Sequence, residues 1–292
     1  MLDFNTEPYN DDYDEGKKFY RILYRPSFAV QARELTQMQS ILQNQIKSHG
    51  DNIFKNGAMV IPGQCSVQTV NTPGKGADYV KLVAIYNNVA VETFLSLLLG
   101  KTIVGQTTGV TATVAYCQSA ENADPTTLYL NYTSGSGTAT TFAVNEVIKT
   151  SDGTYSFQVG STSDCVGKGS VASIQQGVYY INGYFVLCPD QTIVLDKYTT
   201  TPSYRVGLSY TESIITPESD ESLLDNAQNS YNYAAPGAHR YMIDLNLTKV
   251  DLTSTSDSNF VEIIRVTNGV INTIVKETNY NVIYNQIESE MR

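Results

Sequence analysis

The sequence predicts an α+β protein, mainly β, with one long N-terminal helix followed by antiparallel sandwich-like or barrel-like β modules. Three observations carry this expectation. From residue 58 onward the chain breaks into short runs rich in Val, Ile, Thr and Tyr, separated by Gly, Asn, Asp and Ser. Between residues 28 and 54, apolar side chains recur at helical spacing. The composition holds 21 Tyr, no Trp and only 16% charged residues, against roughly 25% in a typical soluble protein. Such a mixture suits half-buried pleated surfaces and polar contacts between proteins.

Residues 1–57 read as an acidic arm and an attachment helix. In the arm, Asp11-Asp12-Tyr13-Asp14-Glu15-Gly16 resembles a calcium loop, but counting from Asp12 puts Gly16 where a ligand belongs. A solvated acidic arm is the expectation. Arg25-Pro26-Ser27 then supplies a stop and a capping hydroxyl, and Val30, Leu35, Met38, Leu42, Ile46, His49 and Ile53 line one face of a helix over 28–54. Ile41 widens the stripe, and Gly50 reads as a C-cap or a kink. The opposite face carries Gln37, Gln39, Gln43, Asn44 and Gln45, polar but uncharged. Amides enter a protein interface at lower desolvation cost than charges and still specify hydrogen bonds. The alternative is a plain, soluble surface helix.

Residues 58–100 and 150–252 form the expected main β domain. Strands are predicted at 58–63, 66–70 and 79–86, while 89–99 fits either a strand or a short helix. Residues 101–149 read as an inserted small β module with strands at 102–104, 111–116, 128–132 and 142–148. Asn182-Gly183, inside 177–186, marks a hairpin with a type I′ turn. Strands follow at 192–195 and 204–210, then a turn at 216–220 capping a short helix at 221–227. The loop 232–240 holds Pro236-Gly237, and 240–251 alternates with Tyr241, Ile243, Leu245 and Leu247 on one side. The C-terminal segment, 253–292, has a late strand pair at 260–264 and 269–275. Its helix-like stretch 280–292 stops without a C-cap, so the chain is expected to continue beyond Arg292.

The same residues argue against several chemistries. Nineteen Lys and Arg against 29 Asp and Glu leave a formal charge of -10, which opposes a dedicated nucleic-acid binder. With His49 and His239 alone, a His-rich metal site is excluded, and a Ser-His-Asp or Cys-His site would need one of them. Cys65, Cys117, Cys165 and Cys188 show no C-x-x-C spacing and read as buried reduced thiols. Gly100-Lys101-Thr102 is no phosphate loop, because Leu95 stands where the first glycine is required. Neither a signal peptide nor an apolar run long enough for a membrane helix is visible. The expectation is no catalytic residue, cofactor or metal, and synthesis in a reducing cytoplasm. A glycan-cleaving reading would rest on Asp220 and Glu221, but sequence neighbours project in different directions and Trp is absent.

The run from Tyr20 to Gln37, with Ser40-Ile41-Leu42-Gln43-Asn44-Gln45-Ile46 and Ala234-Ala235-Pro236-Gly237-Ala238-His239-Arg240, resembles the N-terminal region of a family of tailed-bacteriophage tail-fibre or baseplate structural proteins with a domain of unknown function. The resemblance spans nearly the whole chain, with 101–149 as its variable part. It implies a non-enzymatic virion component that attaches a tail fibre to the baseplate or tail. The implied setting is the virion, assembled in the host cytoplasm, with other tail and baseplate proteins as partners and a homotrimer as the assembly. A baseplate wedge or neck role, or a glycan-binding or depolymerising tail protein, are the alternatives. Leu35, Met38, Gln39, Leu42, Gln43, Gln45 and Ile46 are the expected interface residues.

Overall fold

The computed structural model describes residues 2–70, 76–122, 124–134, 139–254 and 258–274. As expected, the chain is mainly β, with one long N-terminal helix, α1 (Ala32–Ile53). The first ten strands are β1 (Met59–Ile61), β2 (Cys65–Gln68), β3 (Ala77–Lys81), β4 (Ile85–Tyr86), β5 (Val89–Ala90), β6 (Thr102–Gly105), β7 (Thr111–Gln118), β8 (Thr127–Ser134), β9 (Val147–Thr150) and β10 (Ser156–Gln158). The rest are β11 (Val166–Ile174), β12 (Gly177–Ile181), β13 (Tyr184–Cys188), β14 (Gln191–Asp196), β15 (Tyr204–Ile215), β16 (Arg240–Asp251), β17 (Phe260–Thr267) and β18 (Val270–Ile274).

These strands pair antiparallel into a nine-stranded sheet in the order β10-β9-β6-β7-β8-β3-β11-β14, with β2 also on β11, a sheet β1-β12-β13, a sheet β16-β15-β17-β18, and the ribbon β4-β5. The spine is β11. Its first half, Val166 to Gly169, pairs with β3, while Ser170 to Ile174 pairs with β14 and β2. One strand thereby joins the two larger hydrophobic cores. The first gathers Met59, Tyr179, Ile181, Leu195, Leu208, Leu245 and Val266; the second gathers Val80, Leu98, Ile103, Val114, Leu128 and Phe157. Packing draws a wider unit than 101–149, because β8 pairs with β3 and the second core takes in residues from Val80 to Cys165.

Several expected elements shift for identifiable reasons. The helix starts at Ala32 rather than residue 28. Ser27 is not its cap; it sits at φ 68 in a turn closed by Phe28 N–H on Arg25 O. The Glu34 carboxylate instead accepts the Gln31 N–H at 2.9 Å, which caps the first turn. Gly50 lies inside the helix, which runs on until Phe54 N–H closes on Gly50 O. The ambiguous 89–99 becomes β5 and two 3-10 turns that put Val91, Leu95 and Leu98 into the second core. The helix expected at 221–227 shrinks to one 3-10 turn, Glu221–Leu223, because Asp225 exchanges backbone hydrogen bonds with Ala234 and Ala235. The Asn182-Gly183 hairpin forms as expected, with positive φ at both residues and Ile181 facing Tyr184. The helix-like 280–292 lies outside the described residues.

The strand expected at 142–148 starts only at Val147, because a buried carboxylate organises the turn before it. Glu146 Oε1 accepts the N–H groups of Thr107 (2.8 Å) and Thr108 (2.6 Å) and the Thr108 hydroxyl (2.9 Å), and Oε2 accepts Ala143 N–H (2.7 Å). Burial alone would raise its pKa, but these donors outweigh it and hold the group below its ordinary value. A depressed carboxylate pKa adds stability above the unfolded-state value, which is lost as pH falls through the folded-state value. Glu146→Gln is therefore expected to lower stability by about 1–3 kcal/mol at pH 7. In urea melts the gap between variant and parent should narrow as pH drops below about 4.

Candidate protein interface

α1 lies on the rest of the chain with its amphipathic faces reversed from the usual arrangement. An α-helix turns about 100° per residue, so Ser40, Gln43, Asn44, Lys47 and Asp51 share one face and Leu35, Met38, Leu42, Ile46 and His49 the opposite one. The polar face docks. Gln43 Nε2 donates to Gly183 O at 2.8 Å, and Asn44 Nδ2 donates to Tyr13 Oη at 3.1 Å. Gln37 donates to Asp12, and the Ser40 hydroxyl donates to Asp11. At the C-terminal end the Tyr180 hydroxyl donates to Lys47 O (3.0 Å) and Asp51 Oδ1 (2.8 Å). The Lys47 ammonium, hydrogen-bonded to Asp51, is the main cause of that carboxyl's lowered pKa.

Gly50 makes this docking geometrically possible. A Cβ there would lie 2.6 Å from the Tyr180 ring, inside any real contact distance. Tyr180 comes from β12, where Tyr179 and Ile181 point into the first core and the intervening residue points outward. Gly57 N–H on Tyr180 O (2.7 Å) and Tyr180 N–H on Ala58 O (2.9 Å) tie the helix exit to the same strand.

The apolar face is bare. Leu35, Met38, Leu42 and Ile46 are 49%, 40%, 56% and 46% exposed, and of the helix's apolar side chains only Ile41 is buried. Leu35, Met38, Leu42, Gln45 and His49 alternate by three and four, the spacing of a coiled-coil seam, and none carries a permanent charge. Among the expected interface residues, Leu35, Met38, Gln39, Leu42, Gln45 and Ile46 are all exposed. Gln43 is the exception, since its amide is committed to Gly183. The amide-rich face therefore divides: Gln37, Gln43 and Asn44 serve the chain itself, whereas Gln39 and Gln45 face out.

Sequence reasoning missed the stretch before the helix. Phe19, Tyr20, Leu23, Tyr24 and Phe28 are all exposed, which extends the apolar surface beyond the stripe, and Val30, expected on the stripe, lies exposed before the helix begins. The available signal was an apolar run in a segment with no strand partner nearby. It also missed Tyr180, although strand alternation sets it apart from its buried neighbours.

The other candidates have structural employment. Asp11 and Asp12, from the rejected calcium loop, hold α1. His239 Nδ1 lies 2.7 Å from Tyr9 Oη, fixing the Pro236-Gly237 loop to the arm. His49 is exposed on the stripe. Asp220 caps a turn through Ser222 N–H at 2.9 Å. All four cysteines are free thiols, and burial pushes Cys117 and Cys188 up to about 11, so both stay protonated near neutral pH. Among the described residues, no group of three or more His, Cys, Asp and Glu is placed to hold a metal ion, and no helix is long and apolar enough to cross a membrane.

One family model matches most of the chain. Residues 7–133 and 148–292 match the model of DUF4815, a domain of unknown function, and the chain belongs to that family. The unmatched stretch between the two segments, 134–147, is narrower than 101–149 and runs from the last residue of β8 to the first of β9. No curated protein and no solved structure matches the chain.

The docking account predicts the effect of Gly50→Ala. Alanine would gain about 0.5–1 kcal/mol of helix propensity. Displacing the buried Tyr180 ring costs about 1–3 kcal/mol, so displacement wins. Faster hydrogen exchange is expected over residues 45–56, with β15 and β16 unchanged.

Proposed function

We propose that this chain is a non-enzymatic structural component of a phage virion that attaches a tail fibre to the baseplate or tail, and that it assembles as a homotrimer through the outward face of α1. The observation that carries the reading is the uncharged apolar stripe of α1, turned away from its own chain. The resemblance of the helix and of the Ala-Pro-Gly-Ala loop to phage tail proteins supplies the setting. Covering the exposed part of Leu35, Met38, Leu42 and Ile46 contributes about 1–2 kcal/mol each. That gives about 4–8 kcal/mol per helix, within the ~4–15 kcal/mol that association costs in lost freedom. The stripe is therefore near break-even alone and becomes sufficient with the neighbouring exposed aromatic residues.

A wedge or neck role places a different chain on the same stripe, and the two readings separate by oligomeric state. Mass photometry at micromolar concentration is expected to show a trimer. Leu42→Glu with Met38→Glu should give a monomer whose melting temperature stays close to the parent's, because both side chains are exposed in the single chain. A parent that is already monomeric contradicts self-association.

A further inference from the structure

We propose that residues 2–14 are an exchangeable strap, which in the assembly closes on α1 and β16 of a neighbouring copy instead of its own. This rests on the self-association proposed above and adds how the copies are locked together.

The strap is held by a small set of contacts in two places. On α1, Asp11 takes the Ser40 hydroxyl, Asp12 takes the Gln37 amide and the Arg33 guanidinium (3.4 Å), and Tyr13 takes the Asn44 amide. On the sheet side, Leu2 N–H donates to Glu212 Oε2 at 2.6 Å, Tyr9 Oη meets His239, and the Phe4 ring stands edge-on to Tyr241 at 5.2 Å. No residue before Met59 belongs to any of the hydrophobic core clusters found among the described residues. Moving the strap therefore leaves those clusters intact.

The connection from strap to helix is far longer than its task requires. From Asn44, where the strap ends, back to Ala32 is twelve helical residues, about 18 Å. Residues 18–30 supply thirteen residues and reach about 44 Å when extended. Within 19–30, among the described contacts, one backbone hydrogen bond appears, the long Phe28 N–H to Arg25 O at 3.4 Å. The connector also stands off its own helix, leaving a cleft of about 250 Å³ lined by Phe19, Ile22, Arg33, Gln37 and Ile41. Its apolar side chains, Leu23 at 75% and Phe28 at 63% exposed, face outward.

A second copy is the occupant that fits. Exchange re-forms every strap contact with identical partners: Arg33, Gln37, Ser40, Asn44, Glu212, His239 and Tyr241. A foreign protein would have to reproduce all of them. Neighbouring helices in a bundle lie about 8–10 Å apart, well within the connector's reach. A connector crossing between copies passes over the apolar stripe that it leaves bare in one chain. Exchange of an identical element between protomers adds interface at low cost, since its bonds already exist.

The test uses the full chain with Asp11→Cys and Ser40→Cys, whose side chains touch, oxidised mildly and run on a non-reducing gel. Exchange predicts covalent dimers and trimers as the main product. It also predicts a mixed disulfide when differently tagged chains, one carrying Asp11→Cys and the other Ser40→Cys, are co-expressed. A second pair, Tyr13→Cys with Asn44→Cys joined by a short bis-maleimide, covers the case in which loss of the buried Asp11 impairs folding. Crosslinks confined to single chains, in a protein that mass photometry shows to be trimeric, overturn the strap and leave stripe association standing. A monomeric parent overturns both.

Discussion

The orientation of α1 is set by one contact, the Tyr180 ring against the helix backbone at Gly50. The ring occupies the space that any larger residue at position 50 would fill, and its hydroxyl bonds Lys47 O and Asp51. Because helical periodicity couples every position, fixing Asp51 inward on Tyr180 places Gln43, Asn44 and Ser40 toward the chain and Leu42, Ile46 and His49 away from it. The same contact therefore decides that the amides are used within the chain and that the apolar side chains are left for another surface.

This arrangement divides the molecule energetically. From Met59 onward, two hydrophobic cores share β11, and strand pairing ties them into a continuous structure. The strap, connector and helix hang on that structure by hydrogen bonds and a few ring contacts. Intramolecular hydrogen bonds contribute about 0.5–1.5 kcal/mol each, against about 1.5–3 kcal/mol for a fully buried large apolar side chain. Segments with few buried apolar contacts open at lower free energy than cores. A limb that is easily moved and bears an apolar stripe suits a protein whose final contacts form during assembly.

Much of the fold is legible in the sequence because its signals are local. Asn182-Gly183 dictates its hairpin, and the alternation of Leu245 and Leu247 marks the inward face of β16. The helix is visible from its stripe, but its start is misplaced, because Ser27 has the chemistry of a cap and the wrong backbone geometry. The start of the strand expected at 142–148 is misplaced for a nonlocal reason: Glu146 reaches Thr107 and Thr108, nearly forty residues earlier in the chain. For the interface, composition identifies Leu35, Met38, Leu42 and Ile46 and leaves open which side of α1 faces its own chain. That choice depends on Tyr180, some 130 residues downstream, and no local pattern around α1 contains it.

The central claim is that the apolar face of α1 meets another copy while Gln43, Lys47 and Asp51 stay docked on Gly183 and Tyr180 of their own chain. Hydroxyl-radical footprinting across a dilution series tests this side chain by side chain. The account predicts that oxidation of Met38, Leu42 and Ile46 rises steeply as the assembly dissociates, while buried Ile41 and Tyr180 stay protected throughout. Equal oxidation of Met38 and Leu42 at every concentration, or protection of the stripe in a protein that remains monomeric, would contradict it.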